Sequence, residues 1–354
     1  MNQNQTLSHV SLFACIVAVG LLPSSVTAQA DSAPSVTFLD GNAARAAIVN
    51  DARDPYFDHL QPIEMAAKTG APVTGTLKAQ RLETRKRYQA AVRPFRPEEQ
   101  EAIRAYVEAL EPLLRDYPRF ARQPWRFVKV ADHIEGGLPH TRDNFIVLSE
   151  SVSKGLFDLR RQQTPEAALM RGGMLLLHEQ VHVLQRLEPG RFDNLYTQTL
   201  GYRRSGNIPL PKDLATNQLL NPDGLSCCWL FPRGQGMIWP LLVFAERDGL
   251  RKMPGDFRKL AVTVMPTKKA LGYHVARTAE GRSQSEDLLK VREYVEAFPL
   301  TQNFYHPNET SADLFSQLVL FDGIARLRMP PAQRDALERE MQRLRPAFQA
   351  AFAR

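Results

Sequence analysis

Residues 174–187, MLLLHEQVHVLQRL, constrain the fold more than any other stretch of the sequence. Apolar residues occupy nearly every face of a 3.6-residue repeat, so the pattern predicts a helix buried in the middle of the molecule. Yet it also carries His178, Glu179 and His182. Buried polar groups without partners cost on the order of 1–3 kcal/mol each, so such a helix must find partners for two imidazoles and a carboxylate. Residues four apart share a helix face, and His178 and His182 can therefore reach one metal ion. Glu179 lies about 100° of helix rotation from His178. A carboxylate there can contact a metal-bound water without itself becoming a ligand. Zinc brings the pKa of such a water towards about 7. Glu179 could then take the proton as hydroxide attacks a carbonyl. Gly172 and Gly173, just upstream, allow close packing against the helix.

Three protein ligands are needed if a water is to hold the fourth position. The extended pattern H-E-x-x-H-x-x-G-x-x-H is excluded, because Gln185 and Glu188 stand at its glycine and last histidine positions. A carboxylate from a separate helix is the other solution. The run His306-Pro307-Asn308-Glu309-Thr310-Ser311-Ala312-Asp313 opens such a helix, with Glu309 and Asp313 on one face. Glu309 can bind the metal, and Asp313 can accept the free N–H of a ligand histidine, His178, fixing its tautomer. Glu188, Asp193 and Glu246 are rivals for the third position.

HEQVH together with the downstream E-x-x-x-D of Glu309 and Asp313 resembles the gluzincin zinc peptidases, the group containing thermolysin and neprilysin, and the small gluzincin-like domains called minigluzincins. The resemblance spans roughly residues 140–325. It implies that His178, His182 and Glu309 are zinc ligands, that Glu179 is the catalytic base and that Asp313 supports a ligand. It implies a zincin-like catalytic region at 136–330 and a peptide or protein substrate. It also implies an edge strand ahead of the metal helix, at 144–148 (NFIVL), that pairs with an extended peptide. A donor to the developing oxyanion is expected as well. Tyr305 and His306 are the first candidates, followed by Tyr202, Tyr273 and His274. The ligand spacing, 309 − 182 = 127, is far longer than in thermolysin. A strand-rich insert at 203–298 fills it.

The rest of the chain reads as a mostly helical α+β protein with a small antiparallel sheet between the two ligand-bearing helices. Alternation at 125–130 (WRFVKV) predicts a strand. Strand-like runs recur at 225–231, 237–244 and 259–265, the first two joined by a hairpin loop at 232–236. Pro240 should mark an edge or a bulge. Helical patterns cover 77–92, 97–115, 164–187, 193–202, 286–298, 309–328 and 332–352. The expected organisation is a helical region at 31–135, the catalytic region at 136–330 and a C-terminal helix at 331–354.

Residues 1–30 contain no Lys, Arg, Asp or Glu, and an apolar stretch from Val10 to Leu22 precedes Ala28-Gln29-Ala30. This reads as a cleaved secretory signal, giving a secreted or periplasmic protein after cleavage near Ala30. No later segment is apolar enough to span a membrane. Cys227 and Cys228 then remain, read first as buried thiols ahead of a vicinal disulfide or an intermolecular link. A net charge of +7 with no aromatic-interleaved basic run gives no support to nucleic-acid binding. The expectation is an exported zinc metallopeptidase. Its rivals are a non-catalytic gluzincin-like interaction protein of the cell envelope and a metallohydrolase of a non-peptide amide.

Overall fold

Alternating side chains build the first sheet. In the strand Trp125–Val130, Trp125 and Phe127 face one way, and Val128 and Val130 belong to a core on the other side. Both faces are thus apolar, and both must be covered. The computed structural model describes residues 35–224, 228–267, 272–301, 303–323 and 331–353. The expected signal segment at 1–30 lies outside the described residues. Among them, no helix is long and apolar enough to cross a membrane.

Five strands make this sheet: β1 (Val36–Leu39), β2 (Val92–Arg93), β3 (Trp125–Val130), β4 (His140–Arg142) and β5 (Phe145–Ser149). Their order is β1-β3-β5-β4, with β2 also beside β3. β1, β3 and β5 run parallel, whereas β4 is antiparallel to β5. On one face, Ile146 and Leu148 meet Leu176, Leu177, Val181 and Leu184 of the helix Met174–Leu187. On the other, Val128 and Val147 meet Tyr56, Phe57 and Tyr88 from the N-terminal helices. The 31–135 stretch, expected as helical, therefore also supplies three strands. The expectation that 144–148 forms an edge strand is corrected. β5 lies between β3 and β4, and the edge is the three-residue strand β4.

The second sheet is antiparallel throughout and lies in sequence between the two ligand-bearing helices. It comprises β6 (Arg203–Arg204), β7 (Trp229–Arg233), β8 (Gly236–Phe244), β9 (Phe257–Pro266), β10 (Tyr273–Val275) and β11 (Ser285–Asp287). Leu230, Trp239, Leu241, Val262 and Val264 form its own core. Pro240 lies where β8 has only β9 beside it, a local edge of the kind expected. β7 pairs only with Gly236–Ile238, so at Pro240 the strand's one partner in register is β9. The missing proline N–H therefore breaks no ladder on the β7 side. Part of the expected run at 225–231 lies outside the described residues. Cys228 is buried and disulfide-bonded, which corrects the reading as a free thiol.

The central helix Met174–Leu187 packs between β4 and β5 on one side and the helix Pro307–Gly323 on the other. Its start is not capped by a polar side chain. A π-turn, Leu169–Gly173, leads straight into it from the helical turn Pro165–Ala168. A Cβ built on Gly172 would lie 2.5 Å from the Tyr106 ring, so glycine is what lets this turn approach the helix Pro97–Leu110. The helix Pro331–Ala351 closes the same core, with Phe348 and Phe352 against Phe315.

Candidate metal centre

The helical repeat puts His178 and His182 one turn apart, and their Nε2 atoms converge to 3.0 Å. Glu309, in the first turn of Pro307–Gly323, brings its carboxylate to the same point. Oε2 is 3.3 Å from His178 Nε2 and Oε1 is 3.5 Å from His182 Nε2. Among the described residues, these three form the one cluster of His, Cys, Asp and Glu whose ligand atoms lie close enough to share an ion, within 4.8 Å of one another.

Hydrogen bonding fixes how His182 presents itself. Gln185 Nε2 donates to the Asn308 carbonyl at 3.0 Å and to Ser311 Oγ at 2.9 Å, which orients the amide. Gln185 Oε1 therefore faces His182 Nδ1 at 2.7 Å and can only accept. The proton sits on Nδ1, leaving a lone pair on Nε2 aimed at His178 and Glu309. Glu309 is 3% exposed. Asn221 Nδ2 donates to its Oε1 at 2.6 Å and Asn303 Nδ2 to its Oε2 at 2.5 Å. Burial opposes its charge, but His182, His178 and His306 outweigh burial and hold the carboxyl down at about 2. For His178, burial opposes protonation, but the hydrogen bond and charge of Glu309 prevail and raise it to about 9. Two imidazoles and an ionised carboxylate, with His182 and Glu309 buried and held by amides and His178 partly exposed, are a donor set a divalent transition metal takes.

Glu179 is 5% exposed, and its Oε2 has no hydrogen-bond partner in the protein. Burial and the charge of Asp223 push its carboxyl well above the ordinary range, partly offset by His178. It lines a cavity of about 310 Å³ together with His178, Glu309, Tyr305 and His140. Tyr305 places its hydroxyl beside Asn221 Nδ2, and burial followed by Glu309 and Asp223 drives its pKa far up. It thus stays a protonated donor. His306 occupies a different position. Its Nδ1 accepts the Asn308 N–H at 3.1 Å, so it caps the helix that carries Glu309. Asp313 is half-buried, accepts from Gln317 Nε2 at 3.3 Å and acts on His178 through its charge.

The other candidates lie elsewhere. Glu188 pairs with Arg119 and Arg191, Asp193 with Arg204, and Glu246 with Arg282. Tyr202 is tied to Tyr294, the Phe304 carbonyl and Thr310. Tyr273 and His274 belong to β10 in the second sheet. Gln185, Asn221, Asn303 and His140 carry no motif of their own. Of these, only Gln185 had a sequence signal, its place three residues after His182.

A strap, residues 219–223, crosses the cavity. Glu64 Oε1 accepts the Leu220 N–H at 2.6 Å, and Lys68 Nζ donates to the Leu220 carbonyl at 2.8 Å. Asn221 reaches Glu309, and Asp223 Oδ1 accepts the backbone N–H of Thr141 at 2.8 Å. Arg186 Nη2 donates to the Thr141 carbonyl at 3.2 Å and also to that of Pro222. Comparison with protein-family models, curated proteins and solved structures returned no match to this chain.

Proposed function

We propose that this chain is an exported zinc-dependent metallohydrolase of gluzincin type that cleaves amide bonds, with peptides as the substrate class. The observation that carries the reading is the convergence of His178, His182 and Glu309, from helices far apart in sequence, beside a buried Glu179 with an unpartnered carboxylate oxygen. A mixed sheet whose antiparallel edge strand β4 lies next to the metal helix supports a zincin-like arrangement. The charge-free, apolar segment at 1–30 supports export.

His178, His182 and Glu309 would hold the ion, which when bound supplies Lewis acidity and a more acidic water. Glu179 takes the proton of the attacking water and returns it to the departing amine. Burial and Asp223 raise its proton affinity, and the positive charge of a bound ion would lower it again so that the carboxylate is free to act as base. The Tyr305 hydroxyl, hydrogen-bonded to Glu309 here, is the donor that would turn to the developing oxyanion. Asn221 and Asn303 keep Glu309 ionised and aimed.

Purified protein should carry about one zinc per chain, and both His178→Ala and Glu309→Ala should lose it in elemental analysis. Glu179→Gln should retain zinc while peptide hydrolysis falls by about 100-fold or more. Zinc retained in both ligand variants, or undiminished hydrolysis in Glu179→Gln, would overturn the proposal.

A further inference from the structure

The edge strand β4 offers a passing peptide very little. In an antiparallel pair, a residue turns both backbone groups either to its partner or away from it. Thr141 is the residue of β4 whose groups face outward, because its N–H goes to Asp223 and its carbonyl accepts from Arg186. Both positions that strand addition would use are therefore filled from within the chain. The strap, whose Asp223 accepts the Thr141 N–H, is itself anchored by Glu64, Lys68 and Asn308, whose Nδ2 donates to the Asp223 carbonyl at 2.7 Å. Arg186, which donates to the Thr141 carbonyl, comes from the central helix.

Recognition must then come from the cavity walls. Leu138, Leu242, Met253 and Phe257 make them largely apolar. Besides Glu179, His140 carries an unpartnered polar atom in this lining. His140 is 2% exposed and lines the cavity, and its Nε2 has no hydrogen-bond partner in the protein. Its Nδ1 lies 3.1 Å from the Leu138 carbonyl, which can only accept. The proton is thereby placed on Nδ1, and Nε2 is an acceptor awaiting a donor. A cavity of about 310 Å³ stands at the small end of the range for small-molecule sites.

Building on the hydrolase reading, we propose that the site takes short blocked amides end-on, seating an apolar side chain against Leu138, Leu242 and Phe257 and donating one N–H to His140 Nε2, in place of pairing an extended polypeptide along β4. Substrates of this class are small acyl amides and di- or tripeptides rather than folded or unfolded proteins.

The test uses zinc-loaded Glu179→Gln full-length protein, labelled with ¹⁵N at histidine. It is titrated with acetyl-leucyl-leucine amide and with a dodecapeptide carrying the same Leu-Leu at its centre. The short amide should move the Nε2 resonance of His140 away from its lone-pair position, and the dodecapeptide should bind no more than about threefold tighter. His140→Leu should weaken the short amide by about tenfold. A dodecapeptide about tenfold tighter than the amide, or an amide that leaves the His140 signal unmoved in otherwise native protein, would overturn the proposal. Wild-type protein separates the two readings. Binding that moves His140 without hydrolysis supports the cavity assignment and refutes the hydrolase.

Discussion

His182 shows how neighbours aim one side chain at a candidate metal site. Gln185 takes the proton side of the ring, and its own amide is pinned by Asn308 and Ser311 on the helix that carries Glu309. One residue thus couples the orientation of the first ligand helix to the position of the second. Gln185→Leu should weaken zinc binding by about 10–100-fold in competition with a chelating dye, with the fold retained. Unchanged affinity would mean that the ring is held by packing alone. In the sequence Gln185 is visible only as a departure from a longer histidine motif, because an amide acting on a ring nitrogen has no pattern of its own. His178 leads to a second expectation. Without metal, Glu309 holds it protonated up to about 9 against the effect of burial. At pH 7 a bound ion must expel that proton, since a ligand imidazole has to be neutral. Zinc binding should therefore release about one proton per ion at pH 7, and affinity should rise about tenfold per pH unit until the proton is gone near pH 9. Calorimetry in phosphate and in Tris reads this directly. Equal apparent heats in the two buffers would contradict a protonated His178.

The central helix was legible as an element because its apolar residues run all round, and burial on every side follows from that pattern. β3 was legible by its repeat of two, and the antiparallel insert by runs of branched and aromatic residues, two of them joined by a hairpin loop. β4 was not. His140, Thr141 and Arg142 are all polar and all buried, so no alternation marks them. They are held by Asp223, Arg186 and Asp51, which approach from other parts of the chain. The π-turn before the central helix was likewise unread, although Gly172 hinted at close packing. Tyr106 is fully buried there, and its hydroxyl donates to the Leu156 carbonyl at 3.2 Å, so the ring has little room to retreat. Gly172→Ala should cost about 1–3 kcal/mol through overpacking. Urea denaturation of zinc-free protein checks it, which keeps metal affinity out of the comparison. A variant as stable as wild type would show that the turn can yield.

At the scale of the described fold, the N-terminal helices and the candidate metal centre are joined through a buried charge. Lys68 and Glu135 pair at 2.8 Å with both side chains inaccessible. Glu135 also accepts from the hydroxyls of Tyr56 and Tyr88, and its backbone lies at φ 50°, a left-handed conformation uncommon outside glycine. Burial works against its charge, yet Lys68, His140 and Tyr56 bring its pKa below the ordinary value. Nothing in the sequence marked this network, because its members come from five separate segments and only the fold brings them together. Lys68 also donates to the carbonyl of Leu220, the residue before Asn221, and Asn221 in turn holds Glu309. The chain of contacts therefore runs from the helix Pro62–Thr69 through the strap to Glu309. Lys68→Met strands the Glu135 charge and should lower stability by about 3–5 kcal/mol, whereas the double variant Lys68→Met/Glu135→Gln, which removes the charge but keeps an acceptor for Tyr56 and Tyr88, should recover part of that loss. Urea denaturation of the two variants beside wild type measures both. Lys68→Met should also bind zinc more weakly under conditions where it is fully folded, because Leu220 loses its anchor and Asn221 its fixed reach to Glu309. If the single variant loses less than about 1 kcal/mol, the pair contributes no more than an exposed ion pair would. If its stability falls but its zinc affinity does not, the strap is held by Glu64, Arg186 and Asn308 without Lys68, and the coupling between the N-terminal helices and the metal centre passes through those residues instead.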